Sequence, residues 1–388
     1  MATHLSRQDL APILENEDLG QLDYEGLVAL FREEEALGEY APDGVCQTDP
    51  RSGERIVYSS ARARRPHDNR PDEDETESEG KDCVICRGDT TGVVDVAELS
   101  EGFTFINKNL YPILYPHERS ASQANKPSDD QAAQGLHFLQ WTSSYHDRDW
   151  HNLSQEDRVV VMQRLALLEA RLLETGPRDG IRVTHNGVRA ELGPVVSVIK
   201  NGGPQVGGSL SHGHQQIAFS NVIPRRTLED WSFEANRGET FSAYLQRENP
   251  DELLVRAYGK ATLVVPHFMR RPYDMILLVD DTAKRHLHDL DAAEIGDLAR
   301  GWYDAIRAIH EIMPRLDREI AYNVVAHTGP GAGIYFEFLP YTQETGGFEH
   351  LGLSVCQADR GDVAEDLRNT ILPTHNSPLS FGVRFSRA

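Results

Sequence analysis

The segment Gly207-Gly208-Ser209-Leu210-Ser211-His212-Gly213-His214-Gln215-Gln216 carries the densest chemistry of the chain. Two histidines on alternate residues, with a glutamine two further on, read as a strand. Alternation then turns His212, His214 and Gln216 to one side. The glycines and serines just upstream let a backbone approach phosphate and offer it hydrogen-bond donors. A neutral imidazole is both nucleophilic and a good leaving group, so beside such a cradle it can attack phosphorus and carry a nucleotidyl group as a phosphoramidate. Glutamine in the third place is neither acid nor base, which suits holding that intermediate better than hydrolysing it. A second reactive spacing is Cys83-Val-Ile-Cys86. Four cysteines in 388 residues do not make a disulfide framework, and this pair suits metal or redox chemistry.

These residues have to be positioned by elements that occur twice. In the first half, FTFINKNLYPILYP and LHFLQWTSSYH read as strands. A helix follows, with Ser154 as N-cap, Asp157 at the capping-box position and Gly176-Pro177 as stop. PVVSVIKN and HGHQQIAFSNVIP close the unit as strands. The second half repeats this with ATLVVPHFM and DMILLVDD, a helix starting near Asp291 with Glu294 at its third position, then IAYNVVAHTG and GIYFEFLP. The pattern predicts an α+β fold of two duplicated units with antiparallel strands. Only the first carries the histidine pair. The expected division is a helical extension over 1–45, a first unit over 46–228 and a second over 229–388.

Composition bounds the function. Hydrophobic content of 39% and charged content of 26% are ordinary for a globular protein. The formal net charge of -22 opposes non-specific nucleic-acid binding, so an anionic substrate needs local arginines and backbone donors. No apolar run approaches membrane-spanning length, and the acidic N-terminus has no secretory pattern. The expectation is a cytoplasmic protein with neither nucleic acid nor membrane as partner. The acidic segment from His67 to Asp82 and the polar one from Ser120 to Gln134 read as surface loops.

The chain resembles the galactose-1-phosphate uridylyltransferase family of the histidine-triad superfamily. The resemblance rests on an ordered set: RARRP at Arg62–Pro66, CVIC, INKN, and NGGPQVGGSLSHGHQQ. The family's active-site segment is His-Pro-His-x-Gln, and Gly213 stands in place of its proline. The resemblance implies two histidine-triad-like units forming an antiparallel half-barrel with flanking helices, and a homodimer. It also implies a ping-pong nucleotidyltransferase acting on a nucleoside-diphosphate sugar and a phosphorylated acceptor. His214 is then the nucleophile and Gln216 holds the intermediate. Arg62, Arg65, Asn107, Asn201 and Ser209 correspond to nucleotide- and phosphate-binding positions. Cys83, Cys86, His146 and His212 correspond to a structural Zn2+ site, one per chain, with His151 as the alternative to His146.

Three departures narrow what the resemblance implies. Lys108 replaces an acidic residue seen in some members, which bears on base or ribose preference. A second-metal His-x-His is represented here by Tyr335-Phe-Glu337, leaving His327 with Glu229 or Asp230, and no second metal is expected. The Tyr-Glu pair that binds hexose hydroxyls is replaced by Leu353-Ser354, which points away from galactose 1-phosphate. Glu337, His350 and Gln357 are candidates for another acceptor pocket. The alternatives are an ADP-sugar or dinucleoside polyphosphate phosphorylase or hydrolase, and a zinc-stabilised nucleotide-binding protein without catalysis.

Overall fold

The computed structural model describes residues 4–64, 83–117 and 131–372. The segment from His67 to Asp82 and most of that from Ser120 to Gln134 lie outside them. Three short helices open the chain: α1 (Arg7–Leu10), α2 (Tyr24–Glu33) and α3 (Glu35–Glu39). Strands β1 (Val45–Thr48) and β2 (Arg55–Val57) follow, then β3 (Val93–Glu98) and β4 (Phe103–Lys108). Next come β5 (Gln131–Ala132), which pairs with β1, then β6 (Gly135–Trp141) and the long helix α4 (Gln155–Thr175). The hairpin β7 (Ile181–His185) and β8 (Val188–Leu192) leads to β9 (Val195–Gly202) and β10 (His214–Ser220). Helices α5 (Arg225–Arg237) and α6 (Phe241–Glu248) connect to β11 (Leu254–Ala257), β12 (Ala261–Val264) and β13 (Met275–Val279). The chain ends through α7 (Ala292–Arg315), β14 (Tyr322–His327), β15 (Tyr335–Pro340), α8 (Gly347–His350) and α9 (Arg360–Ile371).

This is a mixed α+β fold built on one ten-stranded sheet, ordered β11-β12-β13-β15-β14-β9-β10-β6-β4-β3, with every pair antiparallel. The order is symmetric about the β9–β14 seam. Outward from it run the fourth, fifth, third, second and first strands of each half, and α4 and α7 each precede a seam strand.

One face of the sheet is covered by α4 and α7. Ile217, Phe219, Val198, Val324, Phe336 and Phe338 point into it and are buried with Leu165, Leu168 and Trp302 in the main core. Trp302 packs on Trp150 at 4.8 Å between ring centroids, and on Phe336 and Phe338. The opposite face carries the polar residues of interest. Gln216 pairs with Ile199 and Leu139, and Asn323 pairs with Asn201, which places His214, Gln216, Asn201 and Asn323 together there.

Local signals in the sequence are realised with three changes. Ser154 caps α4 by accepting from the Asp157 N–H, but the Asp157 carboxylate bonds Ser100 instead of returning to the cap. Asp291 and Glu294 complete a capping box on α7. The strand expected over FTFINKNLYPILYP, β4, stops at Lys108, because Pro112 and Pro116 remove ladder donors from the stretch beyond. Strand β10 begins at His214, so His212 lies in the turn before it instead of within the strand. No described helix is long and apolar enough to cross a membrane.

Because Trp302 joins the loop before α4 to the core of the second half, Trp302→Ala should lower unfolding free energy by about 3–5 kcal/mol in one cooperative denaturant transition. A loss below about 1 kcal/mol, or two separate transitions, would refute a shared core.

Candidate functional site

Cys83, Cys86, His146 and His212 bring one ligand atom each to within 4.8 Å of one another, and they are the only such group among the described residues. His212 Nδ1 lies 3.7 Å from Cys83 Sγ and 3.6 Å from Cys86 Sγ, and His146 Nδ1 lies 3.8 Å from Cys86 Sγ. A tetrahedral ion with ordinary zinc–sulfur and zinc–nitrogen bonds requires sulfur–nitrogen edges of about 3.6 Å, so this donor set fits. His212 Nε2 donates to the Ser143 carbonyl at 2.8 Å, which fixes its tautomer and leaves Nδ1 for a metal. His146 Nε2 is 3.3 Å from Ser211 Oγ. His151, five residues on, stacks on His310 at 4.1 Å and is not in the group. Such a cluster ties the Cys83–Cys86 turn to the loop after β6 and to the residue two before His214.

His214 is buried, and its Nδ1 lies 2.8 Å from the His212 carbonyl. A carbonyl only accepts, so Nδ1 carries the proton and the lone pair sits on Nε2. Burial pushes the imidazole pKa down to about 4, with the nearby Lys200 charge acting in the same direction. The ring is therefore neutral at ordinary pH. Trp141 packs against it at 4.8 Å and against His212 at 5.3 Å. His214 opens onto a chamber of about 220 Å³ lined by Asp149, Lys200, Asn201, Gly202 and Gly203 with the 210–213 turn.

The glycines of this wall are required. Gly203 has φ 91°, and a Cβ there would meet the Ile320 carbonyl at 2.5 Å. Gly213, standing where the related motif has proline, has no room for any side chain. A Cβ would lie 2.6 Å from Asp149 Cγ and 2.8 Å from Thr142 Oγ1.

The remaining sequence candidates divide. Asn201 lines the chamber and its Oδ1 accepts from Asn323 at 2.8 Å, while Ser209 is buried within the glycine loop. Gln216 bonds His137, a fully buried imidazole pushed down to about 3 by burial and by the Arg62 charge. Arg62, whose Nη1 donates to the Tyr111 carbonyl at 2.6 Å, is thereby placed on the Gln216 side. Asn107 is fully buried behind Trp141. Its Oδ1 accepts from Trp141 Nε1 at 2.9 Å, and its Nδ2 donates to Thr90 and Thr91 at 2.7 and 2.9 Å. Arg65 lies outside the described residues. Lys108 points to the helix side, where Glu15, Glu34 and the Leu30 carbonyl hold its ammonium. It anchors the N-terminal extension and does not face the chamber.

Sequence reading missed Asp149, Lys200, His137 and Asn323. Each becomes a site residue only through cross-strand pairing or a loop return, and no local motif marks them.

In the second half, His327 sits between two carboxylates, with Nε2 3.0 Å from Glu337 and Nδ1 3.4 Å from Asp230. Tyr335 stacks on it at 4.3 Å, and Arg270 pairs with Glu337 at 2.7 Å. Neither carboxylate can donate, so both ring nitrogens must carry protons. Burial alone would lower this pKa, but the hydrogen bonds to Asp230 and Glu337 carry it up to about 9. Leu353, in the segment expected to bear the acceptor, is 59% exposed.

Two measurements follow from this geometry. Stripping metal with a chelator, or Cys86→Ser, should lower the melting temperature by several degrees, with one metal ion per chain lost. An unchanged melt in metal-free protein would contradict a structural metal. The raised His327 pKa stabilises the fold fully below its ordinary 6.5, and that stabilisation is lost as pH rises through about 9. The melting advantage of the native chain over His327→Gln should therefore shrink between pH 7 and pH 10, and a constant difference would refute the charged pair.

No family model matches the chain. A curated relative, ADP-glucose phosphorylase of Arabidopsis thaliana, is 22% identical over 352 residues, 84% of this chain and 92% of that protein. Among solved structures, a uridylyltransferase superposes with a TM-score of 0.64 at 18% identity, covering 84% of this chain and 98% of the other. An ADP-glucose phosphorylase from Arabidopsis thaliana, solved with bound ADP-glucose, gives a TM-score of 0.55 at 18% identity over 83% and 98%. The chain has the fold of the uridylyltransferases and ADP-glucose phosphorylases, in keeping with its resemblance to the galactose-1-phosphate uridylyltransferase family.

Proposed function

We propose that this protein is a nucleotidyltransferase that moves a nucleoside monophosphate between phosphorylated partners through a covalent nucleotidyl-His214. The observation that carries this reading is the hydrogen bond from His214 Nδ1 to the His212 carbonyl, which leaves the Nε2 lone pair for chemistry beside a glycine-walled chamber. In the first step Nε2 attacks the α-phosphorus of a nucleoside-diphosphate sugar. The bond from that phosphorus to the bridging oxygen breaks, and sugar 1-phosphate leaves with the electron pair. The charge on the imidazole is stabilised by the His212 carbonyl. In the second step a phosphate oxygen of the acceptor attacks the same phosphorus and Nε2 departs. Asn201, Ser209, Gln216, Arg62 and Arg65 would hold phosphate oxygens. Asn107 supports Trp141 in the present geometry, and a nucleoside contact through it would require exchanging those bonds.

The metal would be zinc, in a structural role, held by Cys83, Cys86, His146 and His212 with no open position for substrate. The two units, 46–228 and 229–388, read as a duplication, which the symmetric strand order supports, with the helical extension over 1–45 ahead of them. Their sheet would curve as a half-barrel, and the working form would be a cytoplasmic homodimer.

A second reading of the acceptor, inorganic phosphate in place of a sugar phosphate, is favoured by the exposed Leu353-Ser354 segment and by the ADP-glucose phosphorylase relative. Incubation with ADP-glucose or UDP-glucose labelled in the α-phosphate, followed by isolation under alkaline conditions, should leave label on the protein. Chasing with phosphate should then release a nucleoside diphosphate if phosphate is the acceptor. His214→Ala should abolish labelling. A protein that binds either nucleotide tightly yet takes no label would refute the transferase reading, and label persisting in His214→Ala would refute the nucleophile.

A further inference from the structure

Lys200 is an unexpected charge behind the nucleophile. Its side chain is 2% exposed, an unfavourable place for an ammonium unless it is paired and hydrogen-bonded. The pairing of Gln216 with Ile199 puts Lys200 beside Gln215 on the helix side of the sheet. From there its ammonium reaches the start of β10, 2.7 Å from Asp149 Oδ2 and 3.1 Å from the His214 carbonyl. Asp149 is itself held: Oδ1 accepts from the Trp150 N–H at 2.8 Å and lies 3.0 Å from Thr142 Oγ1. Thr142 in turn places both its N–H and its Oγ1 3.0 Å from the Gly213 carbonyl.

The result is that three successive carbonyls around the nucleophile each have a partner. The His212 carbonyl takes the His214 ring proton, the Gly213 carbonyl takes Thr142, and the His214 carbonyl takes Lys200. Fold stability alone does not call for this pair, because apolar side chains of similar volume would avoid the desolvation cost and usually serve as well. They would, however, leave the His214 carbonyl without its donor and free the main chain at the reacting residue.

We infer that Lys200 is a positioning residue for His214, acting with Asp149 as counter-ion to lock the 212–214 main chain against the loop that carries His146. The kinetic consequence rests on the proposed transfer reaction, whereas the structural one rests on the geometry alone. Displacement of a reacting atom by about 1 Å costs on the order of 100-fold in rate, which is the effect expected here.

The test uses full-length protein with Lys200→Met/Asp149→Asn, which leaves no buried charge unpaired, and with Lys200→Arg. Single-turnover transfer of nucleotide to His214 at saturating donor should fall roughly 100-fold in the double variant. Donor affinity should change less than about threefold, a loss in the chemical step and not in binding. Zinc content should stay at the native level, and Lys200→Arg should recover most of the rate. A double variant as fast as the native chain, or Lys200→Arg as slow as the double variant, overturns the inference. A readout without substrate separates it from the transfer reading. The His214 ring resonance should be single and sharp in the native protein and broadened by exchange in the double variant. An unchanged line overturns positioning. If native protein takes no label from any donor, the proposed reaction fails and the resonance alone decides the role of Lys200.

Discussion

The hydrogen bond between the His214 ring and the His212 carbonyl is the constraint on which the rest of the site depends. It lies two residues along the same chain, at 2.8 Å, and it leaves the lone pair of the neutral ring on Nε2. His212 is itself held, with Nδ1 turned to the two sulfurs and Nε2 to the Ser143 carbonyl. The two histidines thus use the same ring atom for opposite purposes. Nδ1 of His212 is available to a metal, whereas Nδ1 of His214 is spent on the backbone.

The supporting structure is arranged to keep that short segment still. Gly213 has no space for a side chain because Asp149 and Thr142 occupy it, and Asp149 is there because Lys200 neutralises it. Trp141 lies against both imidazoles and is held in turn by Asn107. Behind these, Trp150 and Trp302 carry the loop onto the helix-covered core shared by both halves. The second half has the same strand order but buries His327 between Asp230 of α5 and Glu337, on the face away from α4 and α7. A doubly protonated imidazole there is itself the cation that two buried carboxylates require.

Much of this was legible in the sequence, for identifiable reasons. The period of the strands, the caps at Ser154 and Asp291 and the repeated element order are local properties, and they led to the α+β architecture. The Cys-x-x-Cys turn and the alternate histidines have spacings that chemistry restricts. What escaped was set by tertiary geometry. Lys200 looked like one polar residue in a strand, and Asp149 like loop. Lys108 was read by its place next to Asn107, but strand alternation sends the two to opposite faces, and the acidic extension claims the lysine. Asn107 itself shows that a polar residue in the right column can be spent on its neighbours.

The central claim is that chemistry occurs at Nε2 of His214, because the fold has committed Nδ1. The most direct measurement is the position of the phosphorus–nitrogen bond in the trapped nucleotidyl-enzyme, read by phosphorus–nitrogen coupling in protein carrying 15N-labelled histidine. The expected result is a single phosphoramidate on His214 Nε2. A bond to Nδ1, or to any other residue, would contradict it.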